Sequence, residues 1–122
     1  VLRGASVVGG SCAFLGVCGA AAGVGTAFSI LQKTTPYDGK GRQRVQQAVS
    51  RVLADIASLD APRCCQRDSW VALRRAAELS ESVLGIRLSA DDPLACNQFV
   101  SNAECAGAGC PLWPSPAAEP DR

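Results

Sequence analysis

Histidine is absent from all 122 residues. That removes every Ser-His-Asp or Cys-His catalytic arrangement, every His-based zinc site and every imidazole base. Methionine is absent too, so the initiator is missing and the chain reads as a fragment or processed piece of something larger. Aromatic residues are scarce, with two Trp, one Tyr and three Phe. The core must therefore come from close approach of small side chains, and a chain that is 48% hydrophobic and rich in Ala and Gly favours small-residue helices. At this length one domain with a real core is expected.

What remains as chemical resource is cysteine, at positions 12, 18, 64, 65, 96, 105 and 110. An odd count fits poorly with a closed disulfide set, and long helical patterns fill the intervals where a disulfide scaffold would be loop-rich. The vicinal Cys64 and Cys65 would strain a bond between themselves. A reduced, cytoplasmic setting follows as the expectation. The net charge of +1 hides an asymmetry: the basic residues concentrate between Lys33 and Arg75, the acidic ones from Ala76 onward. With few aromatics and no recognisable nucleic-acid motif, that field suits a solvated face or a small anionic ligand, and no nucleic-acid role is expected.

Residues 4–32 carry no formal charge, a length that would span a bilayer. Few large aliphatics, an internal Gly9-Gly10-Ser11 and no aromatic belt argue against a span. The favoured reading is a loop to about Val17 and a buried helix over 18–31, with a membrane anchor through 4–32 as the alternative. Thr34 to Gly41 reads as a turn. Val45, Val49, Val52, Leu53 and Ile56 then recur at helical spacing, predicting a helix over 41–58 that ends before Pro62. Asp68 or Ser69 is placed to cap a helix over 67–84 with a stripe of Trp70, Leu73, Ala77 and Leu84, closed by Gly85. A short extended piece over 86–88 follows, then a short helix near 96–102. From Pro111 onward the prolines read as a tail. The scheme is all-α: a single Cys-rich domain over 1–113, with three main helices and a Cys-rich irregular C-terminal loop, and a Pro-rich tail over 114–122.

Two cysteine positions fall at predicted helix starts, Cys18 and the pair Cys64-Cys65. Free N-H groups and positive potential there stabilise a thiolate or an anionic cluster, and Arg63 and Arg67 act in the same direction. A third source is Cys96, Cys105 and Cys110, where Gly107 and Gly109 let the chain fold back. Thiolates without His select zinc or an iron-sulfur cluster. No Cys-x-x-Cys knuckle is present, and dispersed cysteines beside glycines suit a cluster better. The competing reading makes several of these cysteines small buried hydrophobes, Cys12 above all.

The words Gly16-Val17-Cys18-Gly19-Ala20-Ala21-Ala22-Gly23-Val24-Gly25, Thr35-Pro36, Pro62-Arg63-Cys64-Cys65-Gln66-Arg67-Asp68 and Asn102-Ala103-Glu104-Cys105 to Cys110-Pro111, in that order, resemble an uncharacterised Cys-rich prokaryotic domain family. It is common in anaerobes and sometimes fused to methyltransferase-like regions. A weaker similarity is to the catalytic domain of iron-sulfur L-serine dehydratases. It lies in a Gly-Cys word leading a small-residue helix, a Thr-Pro turn, an amphipathic helix and a Cys-x-x-Arg word opening another. That similarity implies Cys18 and Cys65 as ligands of a 4Fe-4S cluster with one open iron. The dehydratases' further ligand, in a Cys-Asp-Pro word, has no counterpart between Leu53 and Pro62, so a third would come from Cys64 or the C-terminal group.

Two functions are expected in competition. One is an iron-sulfur domain, lyase-like, with ligands among Cys18, Cys64, Cys65, Cys96, Cys105 and Cys110 and with Arg63 or Arg67 binding a small anionic substrate. The other is a non-enzymatic zinc or thiol-redox module that docks a larger protein.

Overall fold

A computed structural model describes residues 2–92 and 94–114. Among the described residues four α-helices follow one another: α1 (Ser11–Phe14), α2 (Gly19–Leu31), α3 (Gly39–Ala57) and α4 (Cys65–Leu84), with 3-10 turns at Leu2–Ser6 and Gly107–Gly109. No strand occurs among the described residues, and the protein is all-α with three main helices.

Each long helix is explained by its residues. The buried face of α2 is Ala21, Val24, Gly25 and Phe28, the spacing of one helical stripe. Gly25 lies where a Cβ would come within 2.5 Å of Val49 Cγ2, so the missing side chain is what lets α2 touch α3. Asp38 caps α3, its carboxylate accepting from the Gly41 N-H at 3.0 Å, and a Cβ on Gly41 would collide with that carboxylate. The cap thus needs both residues. Gly85 ends α4 in the left-handed conformation, φ 71°, as a terminal glycine does.

The three long helices all touch one another around a core of Cys18, Ala21, Val24, Phe28, Ala48, Val52, Ala72, Ala76 and Leu79, with Val45, Val49, Leu53 and Ile56 packed against it. The Gln32 side-chain amide, just past α2, donates to the Val83 carbonyl near the end of α4, while Cys18 and Cys65, at their starts, line one cavity. Helices α2 and α4 therefore run in the same direction, with α3 returning between them. Two helix N-termini meet at one end of the bundle.

Several expectations change. The buried stripe of α4 is Ala72, Ala76 and Leu79 rather than Trp70, Leu73 and Ala77: alanines permit the closer approach, Leu73 is left exposed, and Trp70 stays at the rim with the Arg74 guanidinium 5.1 Å from its ring centre. Neither Asp68 nor Ser69 caps α4, which starts two residues early with Cys64 as N-cap, because the Asp68 carboxylate is turned to Arg67. The N-terminal loop contains the 3-10 turn and α1. No helix forms over 96–102, where the Cys96 N-H is drawn to the Leu112 carbonyl at 2.8 Å. The 86–88 piece pairs with no strand; its Leu88 N-H donates to Ser80 Oγ at 2.9 Å. Leu112, expected in the tail, is buried at 1% exposure. The tail residues 115–122 lie outside the described residues. No helix of the described residues is long and apolar enough to cross a membrane.

Candidate functional site

The seven cysteines fall around two cavities. The first lies at the shared N-terminal end of α2 and α4. Ser11 and Val17 clasp each other: the Val17 N-H donates to the Ser11 carbonyl at 3.2 Å, and Ser11 Oγ donates to the Val17 carbonyl at 2.9 Å. The next residue after each is a cysteine, so the clasp sets Cys12 beside Cys18. Gly10 and Gly16, at φ 83° and 67°, supply the left-handed turns that bend the segment there. Cys18 is the N-cap of α2 and Cys65 the first residue of α4, and neither helix start has a side-chain cap hydrogen bond. Their free N-H groups and positive ends favour an anion. Cys12, Cys18, Cys65 and Arg63 line this cavity, of about 230 Å³.

Arg63 and Arg67 have different surroundings. Arg63 is exposed at the cavity and forms no ion pair among the described residues. Arg67 is buried, with its guanidinium on the Asp68 carboxylate at 3.0 Å and on the Pro62 carbonyl at 3.2 Å. Its donors serve the fold, and Arg63 is the cation left for a ligand.

The second cavity lies between the start of α4 and the C-terminal segment. Cys64, Cys96, Cys105 and Cys110 all line it, beside Phe99 and Trp113, and its volume is about 30 Å³. The Phe99 and Trp113 rings pack at 4.9 Å between centres, tilted by 57° to each other. The Cys96 thiol donates to Gln66 Oε1 at 3.6 Å.

As the side chains stand, no group of three or more Cys, Asp or Glu among the described residues is gathered to hold a metal ion, and all seven cysteines are free. The backbone nevertheless sorts them, three to one cavity and four to the other, where the sequence suggested one convergent set. Cys12 was the residue that sequence reasoning set aside. Its signal was the six-residue spacing from Cys18, with Gly10 just before Cys12 and Gly16 just before Cys18 bending the chain.

Away from both cavities, hydrogen bonding from the Arg75 guanidinium holds the Asp55 carboxyl below its usual value against desolvation, with Coulomb attraction adding to it.

A family model matches residues 1–113, and the chain belongs to that family, described as a family of unknown function, DUF5714. No curated protein and no solved structure matches the chain.

Proposed function

We propose that this member of the DUF5714 family is an iron-sulfur domain in which Cys12, Cys18 and Cys65 hold a 4Fe-4S cluster with one iron open to a small anionic substrate. The observation that carries the reading is the placement of those three cysteines around one cavity at two uncapped helix N-termini; their thiols must turn inward to share a centre. Three thiolates are one short of a fully ligated cluster. The cavity of about 230 Å³ is many times the roughly 10–15 Å³ that a single water needs, room for a centre larger than one ion.

When bound, such a centre would supply a Lewis-acidic iron for a substrate hydroxyl, the chemistry of a lyase or dehydratase. The chain's part is to bind and orient. Arg63 takes the carboxylate of the substrate in a charge-assisted pair, and the positive helix ends offset the charge of cluster and substrate together. The Ser11–Val17 clasp fixes the spacing of two of the ligands. A reduced cytoplasmic compartment suits seven free thiols, and a fused or docked partner would supply what a domain of this size lacks.

Anaerobic purification followed by iron and acid-labile sulfide analysis tests the reading. Matching iron and sulfide with broad visible absorbance is expected, and both should vanish in Cys18→Ser/Cys65→Ser. Full iron retained by that variant, or no iron in the parent protein, would overturn it.

A further inference from the structure

Cys64, Cys96, Cys105 and Cys110 play no part in that cluster, and they line one cavity of their own. We infer that these four thiolates form a second, closed site for one tetrahedral divalent ion, zinc by its ligand chemistry, which clamps the C-terminal segment to the start of α4.

The first argument is chemical. Four cysteines from two separated stretches of chain line one cavity, and four thiolates without His are a complete ligand set for structural zinc. The second is size. A cavity of about 30 Å³ is small beside the one at the other helix start, about 230 Å³, and is nearer the scale of a single ion held at the roughly 2.3 Å zinc-sulfur distance.

Local geometry supplies the third. The Gln98 N-H donates to Cys96 Sγ, the Gly107 N-H to Cys105 Sγ and the Leu112 N-H to Cys110 Sγ, each at 3.4 Å. The same backbone turn, with the amide two residues on pointing at the sulfur, is made three times around one space. A neutral thiol is a weak acceptor; a metal-bound thiolate is stabilised and tuned by such N-H groups. The fourth ligand, Cys64, sits at the positive end of α4 as its N-cap.

The last argument is a shortage of other support. From Gly85 to Pro114 the described chain has one three-residue 3-10 turn as regular structure and one buried large hydrophobic, Leu112. Loops longer than about 15 residues without structure of their own need a reason to be ordered, and a metal cross-link supplies it. No three of these thiols are gathered as the side chains stand, so binding requires them to turn into the shared space, and the Cys96 thiol to leave Gln66.

The test uses the whole chain and separates this site from the cluster. Zinc and iron are measured in the parent protein, in Cys96→Ser/Cys105→Ser and in Cys12→Ser/Cys18→Ser. One zinc per chain is expected in the parent and in Cys12→Ser/Cys18→Ser, and at least a tenfold loss of zinc in Cys96→Ser/Cys105→Ser. That result stands even if no form contains iron, so the two readings fail separately. In the parent protein, cobalt(II) exchanged for zinc should give the intense charge-transfer and ligand-field bands of a tetrahedral tetrathiolate, which needs no variant to fold. Zinc retained by Cys96→Ser/Cys105→Ser, no zinc in the parent, or a cobalt spectrum without thiolate bands would each overturn the inference.

Discussion

Cys64 and Cys65 are adjacent in the chain and face different cavities. Cys64, extended at φ −139° and ψ 101° as the N-cap of α4, lines the C-terminal cavity, whereas Cys65, the first helical residue, lines the cavity shared with Cys12 and Cys18. The change from extended to helical backbone between them separates the two thiols. Their single substitutions should therefore have separable effects: Cys65→Ser lowers iron and leaves zinc, Cys64→Ser the reverse. Metal analysis of the two variants checks this, and identical losses from both would place the two thiols on one centre.

Ser11→Ala should weaken the first cavity without touching a thiol. It deletes the hydrogen bond to the Val17 carbonyl, a loss of about 1 kcal/mol, which lowers the melting temperature by roughly 3–6 °C in a domain of this size. Iron content per chain should fall with it, since the spacing of Cys12 and Cys18 depends on the clasp. Thermal unfolding by circular dichroism and iron assay read both; a variant melting at the parent's temperature would show that the clasp is dispensable.

How much of this was legible in the residues differs by element. The helix over α3 was plain because Val45, Val49, Val52 and Ile56 keep one face while Arg42, Arg44 and Arg51 keep the other. The N-terminal half of α2 was placed by its glycines and alanines and by the want of charge. The α4 stripe was misplaced because large residues were read as the buried ones, whereas close packing selected Ala72 and Ala76. For the site, Cys18 and Cys65 could be paired from helix starts alone. The pairing of Cys12 with Cys18 depended on the Ser11–Val17 hydrogen bonds, and the company of Cys64 on a loop that returns through the buried Leu112. Neither contact is periodic, so neither has a signature in sequence spacing.

Gly25→Ala tests the close approach of α2 and α3. The added Cβ would meet Val49 Cγ2 at 2.5 Å, so the helices must part or the valine must move, a cost of about 1–3 kcal/mol of overpacking. Val49→Ala in the same chain should recover part of that loss, a non-additivity expected only of residues in contact. Denaturant midpoints of the two single variants and the double variant measure it; additive losses would mean that the two sites do not meet.

The Asp55–Arg75 pair gives a pH dependence. Both Arg75 nitrogens on the pair bond the Asp55 oxygens, at 2.5 and 2.9 Å, and the carboxyl is held below its ordinary value of 3.8. A depressed folded-state value means that the carboxylate's contribution is fully present above the unfolded value and is lost as pH falls through the folded one. With both side chains about one-third exposed, solvent screening limits the pair to about 0.5 kcal/mol. Asp55→Asn should therefore be slightly less stable than the parent at pH 7, and the difference should close below about pH 4. Unfolding midpoints across that range check it, and a gap that widened in acid would contradict the assignment.

Arg63 and Arg67 are four residues apart, and their substitutions should separate ligand binding from folding. Arg67→Gln leaves the buried Asp68 carboxylate without its guanidinium, and an uncompensated buried charge costs about 3–5 kcal/mol, so this variant should unfold at clearly lower denaturant. Arg63→Gln removes an exposed cation that pairs with nothing among the described residues, so the midpoint should stay within about 0.5 kcal/mol of the parent's. Its effect belongs to the ligand. In the iron-loaded protein the affinity for small hydroxy-carboxylates should fall about tenfold, the loss of one charge-assisted pair, and the fall should shrink as salt is added. Titration calorimetry with such an acid decides the matter: unchanged affinity in Arg63→Gln would remove this arginine from the site and leave the open iron and the positive helix ends to attract the anion.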